Sequence, residues 1–456
     1  IITPNGKLYT DAGRSESYQP RNNLAKYESS GLRLFIIQKI SDNWDAKINT
    51  KRLNYGTDTH RIVTASVDWP TRTREVIAQY IAANTTYDIA EIDVNGRYRL
   101  LGMAMQTSGG ASYNHFQHYS YYIGNPSFDR LRISISNPPQ DLVVPTTIPP
   151  NVGTYYEINE YYGSFYVQQA VEVIQDRLSL VAALNQNKAK YNEGDLIYPE
   201  KYKYTTGDRG MLDADRYGVV FNLTKDAVLY AMTSTFYSYS SGLDINRNPL
   251  PQPTSSGHEV GFKTAFLDGR FSSTFSVFRM AKTNQRVAAA DYRPDGTAYH
   301  IPIGSTTQKG FDLDFAISPM PGLQIIGAYF NGTSIDWQGL VVPDSYTSMV
   351  SGVGRYELQN GPLKGMSVGV GYSRTMGRSV SRGSYNTGLT TQGRVIEIQP
   401  ANVVSLFASY KLNRHWMLRG NINNVNDEDY IAGAQGAASL DPSLPRTFSF
   451  SVTYLY

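Results

Sequence analysis

The sequence predicts an all-β protein, a transmembrane antiparallel β-barrel, on three observations. Apolar and polar side chains alternate with period two, tight turn signals separate the alternating segments, and every second junction is long.

The alternation is clear along the second half of the chain. Phe311, Leu313, Phe315 and Ile317 alternate with Asp312, Asp314, Ala316 and Ser318. Val260, Phe262 and Phe266 lie on one side of a strand whose other side carries Glu259 and Lys263. Val368, Val370 and Tyr372 alternate with Ser367, Gly369, Gly371 and Ser373, and Phe448, Phe450, Val452, Tyr454 and Tyr456 with Thr447, Ser449, Ser451 and Thr453. Successive strand side chains point to opposite faces, so each segment builds one apolar wall and one wet wall.

Turn signals punctuate these strands at Ser41-Asp42-Asn43, Asn95-Gly96, Gln175-Asp176-Arg177, Lys225-Asp226, Asp268-Gly269-Arg270, Pro321-Gly322, Gly361–Gly365 and Asn413-Arg414. Val171-Glu172-Val173-Ile174, which alone reads as helix, continues better into a hairpin through Gln175-Asp176-Arg177. Between the turns lie the long connections 109–155, 191–210, 239–255, 283–304, 377–394 and 427–444, rich in Gly, Pro, Ser, Asn and Tyr. From residue 95 onward short and long connections alternate, the pattern of short periplasmic turns and long extracellular loops.

The reading gives about 19 strands of a barrel of about 22, the first near residues 28–40, with 1–27 as an extracellular loop. The larger total follows from parity. If the last strand descends to the periplasm, so does the first, and a barrel with both ends there needs an odd number of strands before it.

Composition fits. The 456 residues include 35 Tyr, 17 Phe and 39 Gly, only 18% are charged, and the net charge is +3. That balance gives no reason to expect a nucleic-acid partner. Mean hydropathy is −0.37, and no uninterrupted apolar run approaches the roughly 18 residues of a membrane helix. A polar average suits a barrel whose lumen is wet, and Tyr suits the girdles at its two interfaces. With 0 Cys, disulfides, zinc–cysteine sites and thiol catalysis are out.

Several motifs in order carry a family resemblance. Glu259-Val260-Gly261-Phe262-Lys263, Leu267-Asp268-Gly269-Arg270 and Thr283-Asn284 resemble a hairpin of TonB-dependent siderophore receptors. Lys309-Gly310-Phe311-Asp312 is similar to the family's next strand with Asp312 for the usual Glu, and Pro319, Pro321-Gly322-Leu323 follow. Asn421 to Tyr430 is similar to an Asn-Leu-Phe-Asp-x-x-Tyr signature, with Asn426 where Phe is usual. Pro445-Arg446-Thr447-Phe448 and terminal Tyr456 complete the series. The resemblance is firm from residue 170 onward and looser before it. It implies a barrel in the bacterial outer membrane, both termini of the complete protein in the periplasm, and active import of a scarce solute. A ferric siderophore is the expected solute, with cobalamin, haem, nickel chelates and oligosaccharides as alternatives. It also implies force delivered by the TonB-ExbB-ExbD complex to a plug inside the barrel, and contact with outer-membrane lipid and lipopolysaccharide. No plug or TonB-contact motif is found in this sequence, so the plug and first strands are expected outside it.

Candidate ligand residues are aromatic and lie in or beside the long connections: Tyr113, His115, Phe116, His118, Tyr121, Tyr155, Tyr156, Tyr237, Tyr239, Arg247, Tyr299 and Trp337. Tyr combines a large rigid ring with a hydroxyl, which suits a planar chelate. A girdle role competes for each of them. His115 and His118 have a spacing that serves a metal only on a helix, and no acidic or Cys partner lies near, so no metal site is assigned. Glu259, Lys263, Asp312, Asp314 and Arg419 are the expected plug-facing lumen residues. No Gly-x-Ser-x-Gly, Gly-x-x-x-x-Gly-Lys-Ser/Thr or His-Glu-x-x-His motif occurs, so neither an enzyme nor a cofactor is expected. A passive porin-like channel or surface-binding barrel is the competing function.

Overall fold

The computed structural model describes residues 21–454, apart from 69, 125–130, 138, 140, 142, 144–153, 196–204, 239–243, 247, 249, 294–297, 338, 340, 343–344, 382–384, 387–394 and 437–438. All regular elements among them are strands, and none of the described residues forms a helix long and apolar enough to cross a membrane.

Nineteen strands share one sheet. Two of these are short side pieces, Leu131–Ser134 and Tyr385–Asn386, which leaves seventeen in the wall. In order the wall strands are Leu24–Ser41, Trp44–Asp68, Thr73–Leu100, Met103–Gly124, Thr154–Ile174, Leu178–Asp195, Thr205–Thr224, Ala227–Tyr237, Thr254–Phe266, Phe271–Thr283, Thr306–Met320, Leu323–Ile335, Ser348–Glu357, Ser367–Met376, Ala401–Lys411, Trp416–Asn423 and Thr447–Tyr454. Each pairs antiparallel with the next, so the wall is an uninterrupted meander. Its odd number makes the first and last strands run in the same direction. These two carry almost wholly exposed side chains, and no ladder joins them among the described residues.

Register decides which side chains share a face. Val260, Val277 and Phe311 form one row across three strands, and Phe262, Phe275, Leu313, Tyr329 and Val350 form the next. Phe266, Phe271, Ile317 and Ile325 close the belt at the turns. The opposite face carries the row Val228, Lys263, Thr274, Asp314, Ala328, Ser351, Ser373 and Val403. That whole row lines one cavity of about 850 Å³, so the sheet curves around its polar face. The apolar face is convex. Val260 and Val277, on strands paired on both sides, stand on it 59% and 51% exposed, an exposure that a lipid solvent makes favourable.

Strand lengths give the wall two heights. Trp44–Asp68, Thr73–Leu100 and Met103–Gly124 have 25, 28 and 22 residues, against 8 each for Trp416–Asn423 and Thr447–Tyr454. A membrane crossing takes about 9–11 residues, so the first half rises well past the belt at the long-connection end. A small dry core of Ile62, Val76 and Ile133 closes its tip, where Leu131–Ser134 pairs with Thr73–Val76.

The connection placed at 109–155 is strand as far as Gly124 and again from Thr154, and that at 191–210 is strand to Asp195 and again from Thr205. Tyr, Ser and Thr, which made these segments look like loops, suit strands whose two faces are both wet. The connections at 283–304, 377–394 and 427–444 hold short hairpins: Gln285–Tyr292 with Ala298–Ile303, Arg378–Ser381 with Val395–Ile398, and Ile431–Gly436 with Ser439–Pro442. Asn95-Gly96 is not a turn. The chain continues to Leu100 and reverses at Leu101-Gly102, both at positive φ of 54° and 81°. Gly96 faces Trp44 across the ladder, and a Cβ there would fall inside the indole ring. The glycine that signalled a turn makes room for an aromatic side chain instead.

Candidate functional site

The concave face holds two groups of candidate side chains. Nearer the short turns, Tyr230 lies over Gly261 and donates its hydroxyl to Glu259 Oε1 at 2.5 Å. The Lys263 ammonium sits 5.0 Å from the same ring. Glycine is needed at 261, because any Cβ would collide with the ring. Asp312 joins this face through Ser276 and Gly261, Asp314 through Thr274 and Lys263, and Arg419 between Ser409 and Ser451. All five expected lumen residues therefore share the polar face. On the far side of the same face Arg33 Nε donates to Asn49 at 2.7 Å, Asn49 to Glu91 at 2.6 Å, and Tyr166 to Asp93 at 2.7 Å.

Higher on the concave face stands an aromatic group. Tyr87 and Phe116 have ring centroids 5.1 Å apart, and His118 stacks on Phe116 at 6.0 Å. His118 Nδ1 is hydrogen-bonded to Thr85 Oγ1 at 2.8 Å. Tyr27 stacks on Tyr55 at 6.1 Å one strand further on. Glu160 shares the Phe116 row and accepts a hydrogen bond from the Tyr162 hydroxyl. Tyr156 has the same parity. Rings with acidic and hydroxyl neighbours suit a ligand that is large, planar in part and polar at its edge.

The other aromatic candidates stand elsewhere. Tyr113, His115, Tyr121 and Tyr155 occupy the alternate positions and face the convex side. His115 stacks on Tyr161 at 4.5 Å and lies 3.7 Å from Asp88, itself held by Arg52 at 2.7 and 2.9 Å. Tyr121 packs with Tyr80 and Tyr155. Tyr237 has convex parity at the end of its strand. His115 and His118, three apart on a strand, point to opposite faces and cannot share a metal ion. Nearness in sequence does not put two side chains on one face, because strand parity separates neighbours. Parity also brings in Tyr27, Tyr55 and Tyr87, which no motif marked.

At the long-connection end Trp337 is 54% exposed. Tyr299 is buried beneath the Arg293 guanidinium, 5.8 Å away. Arg293 also donates to the carbonyls of Asp244 (2.6 Å from Nη2) and Ile245, so it ties two connections together. Tyr239 and Arg247 lie outside the described residues. Within the first of these connections the Asn248 amide donates to Asp244 at 2.7 Å, and the Asn246 amide at 2.9 Å. The bond from the Asn248 amide is the main cause holding the Asp244 carboxyl below the usual carboxylate range. A depressed folded pKa stabilises above the unfolded value, and that contribution disappears as pH falls through the folded one. Limited proteolysis of this connection is therefore expected to be slow at neutral pH and to accelerate below the ordinary aspartate range. Asp244→Asn is expected to be cut faster at neutral pH and to lose most of that dependence.

A family model described as TonB dependent receptor-like, beta-barrel matches residues 3–425. The chain belongs to that family. Its members are outer-membrane proteins, as the convex apolar belt requires. Among curated relatives, the ferric-pyoverdine 358 receptor of Pseudomonas putida is 22% identical over 96% of this chain and 53% of its own length. The metal-pseudopaline receptor CntO of Pseudomonas aeruginosa is 28% identical over 53% of this chain and 33% of its own. The chain spans at most about half the length of these relatives. Among solved structures, the siderophore receptor PiuA of Acinetobacter baumannii superposes with a TM-score of 0.81 at 15% identity, covering 99% of this chain and 67% of that one. The ferripyoverdine receptor of the outer membrane of P. aeruginosa gives 0.79 at 18% identity, covering 99% and 59%. These likenesses establish the fold of a TonB-dependent barrel.

Proposed function

We propose that this chain forms most of the barrel of a receptor that captures a ferric siderophore and imports it across the outer membrane. The observation that carries the reading is the aromatic group Tyr27, Tyr55, Tyr87, Phe116 and His118 on the concave face, above a polar lumen, in a chain of this family. Relatives named for ferric pyoverdine, metal-pseudopaline and catecholate siderophores support the ligand class. The short turns face the periplasm, the long connections face outward, and both termini of the complete protein are periplasmic. Strands and a plug supplied by a segment outside this sequence close the barrel, since edges such as Leu24–Ser41 and Thr447–Tyr454 are not left unpaired in lipid. Glu259, Lys263, Asp312, Asp314 and Arg419 hold the plug, and TonB-ExbB-ExbD pulls on it to open the path, because the outer membrane has no nucleotide of its own to spend.

The test is binding of iron-loaded and iron-free siderophores to the purified full-length protein. The reading expects saturable, submicromolar binding of at least one ferric pyoverdine or catecholate, weaker without iron. A protein that binds none of them yet conducts ions as an open pore in planar bilayers contradicts it and favours the passive channel.

A further inference from the structure

On the concave face two cations stand directly opposite each other. Register pairs Arg33 with Lys51 and continues the row through Ile89, Asn114 and Tyr162. Neither cation has an ion pair among the described residues, and Lys51 has no hydrogen bond among them. Arg33 Nε donates to the neutral Asn49 side chain at 2.7 Å, and its guanidinium lies 5.1 Å from the Phe35 ring, which leaves both Nη groups open. Glu91, one row lower, accepts from Asn49 Nδ2 at 2.6 Å. Further down the same strands the face is built differently, with Lys39 opposite Asp45 and Lys47 opposite Asp93. Opposite charges across an antiparallel pair add stability and like charges remove it, so the Arg33–Lys51 pair departs from its surroundings at a cost.

The pair has a fixed place in the wall. On the outer side of the same strands the row Leu34, Thr50 and Ala90 gives way, one row higher, to the Arg52–Asp88 ion pair. Arg33 and Lys51 lie between these two levels, at the outer boundary of the hydrocarbon. About 7 Å higher, on the next row of the concave face, stand Tyr87 and Phe116. The two cations are the floor of the aromatic group.

We infer that Arg33 and Lys51 take the anionic, iron-bearing face of the ligand, and that the ligand class is a net-negative ferric chelate of the tris-catecholate kind. Catecholate oxygens leave the iron centre with excess negative charge, whereas a tris-hydroxamate leaves it neutral. An anion between the two cations replaces their repulsion with charge-assisted hydrogen bonds from the Lys51 ammonium and the Arg33 Nη groups. Catechol rings lie against Tyr87 and Phe116. A neutral chelate in the same place covers two like charges and compensates neither. The inference rests on the siderophore reading given under the proposed function and narrows it.

The probes are the ferric chelates of a tris-catecholate and a tris-hydroxamate built on one tripodal scaffold, which differ in charge and little in size. They are titrated into full-length protein in detergent, and binding is read from quenching of tryptophan fluorescence. Heat-dependent gel mobility confirms that each variant is folded. The parent is expected to bind the anionic chelate about tenfold more tightly than the neutral one, with a preference that shrinks as salt is raised. Arg33→Gln/Lys51→Gln is expected to bind the anionic chelate about tenfold more weakly and the neutral one within about twofold of the parent, while Lys51→Arg keeps the preference. Equal or tighter binding of the neutral chelate by the parent overturns the ligand class and leaves the siderophore reading standing. Equal loss of both chelates in the double variant overturns the role of the two cations. A parent that binds neither chelate but another ferric siderophore overturns the inference alone, and one that binds no ferric siderophore overturns the reading beneath it as well.

Discussion

Phe275→Arg is expected to lose about 2–4 kcal/mol of barrel stability, whereas Thr274→Arg, one residue away, folds like the parent. Phe275 sits mid-belt on the convex face, between Phe262 and Leu313, 5.8 Å from the Phe311 ring. An arginine there must leave its guanidinium in hydrocarbon or bend toward the interface, and either is costly. Thr274 lines the concave cavity beside Lys263 and Asp314, where a further cation meets water and a carboxylate. Urea unfolding in lipid vesicles, followed by heat-dependent gel mobility, measures both. Equal destabilisation of the two variants contradicts the assignment of faces.

The double variant Tyr87→Ala/Phe116→Ala is expected to weaken ferric-siderophore binding by about thirtyfold, about 2 kcal/mol for two stacked rings removed from a contact surface. The two rings touch each other and form the centre of the concave aromatic group. Tyr113→Ala and Tyr121→Ala are expected to bind as the parent does, because those rings stand on the convex side. Titration of iron-loaded ligand into the four proteins separates the cases. A convex variant that weakens binding as much as the concave pair shows that ligand contact follows the tips of the tall wall and not its inner face.

The sequence carried the fold well where a strand has one dry and one wet face. Phe448, Phe450, Val452 and Tyr454 alternate cleanly because one face must be apolar, and the structure puts all four on the convex side. The turns at Asp268-Gly269 and Pro321-Gly322 were legible because Gly favours positive φ and Pro presets the turn position before it, and Gly269 and Gly322 take φ of 81° and 84°. Above the belt that signal disappears. Tyr113 to Tyr121 alternates no dry face with a wet one, so its strand has no apolar period and reads as loop. Asn95-Gly96 misled for a different reason: Gly96 serves Trp44, a contact from another strand that no local pattern announces. That Glu259, Lys263, Asp312 and Asp314 share one polar face was readable by parity alone, and register puts them on the concave side. Residue type alone does not separate the faces: Phe116 and His118 are concave, whereas Tyr113 and His115 in the same aromatic stretch are convex. Register alone places Tyr27, Tyr55 and Tyr87 on the same face as Phe116 and His118.

Energised uptake tests the central claim most directly. Full-length protein is expressed in cells lacking their own siderophore receptors, with and without a working TonB, and supplied with radioactive iron on a ferric pyoverdine or catecholate. The account predicts saturable accumulation of iron that falls to background when TonB is absent, although the ligand still binds at the cell surface. Iron entry that is unsaturable and indifferent to TonB contradicts the account and makes the barrel a passive channel.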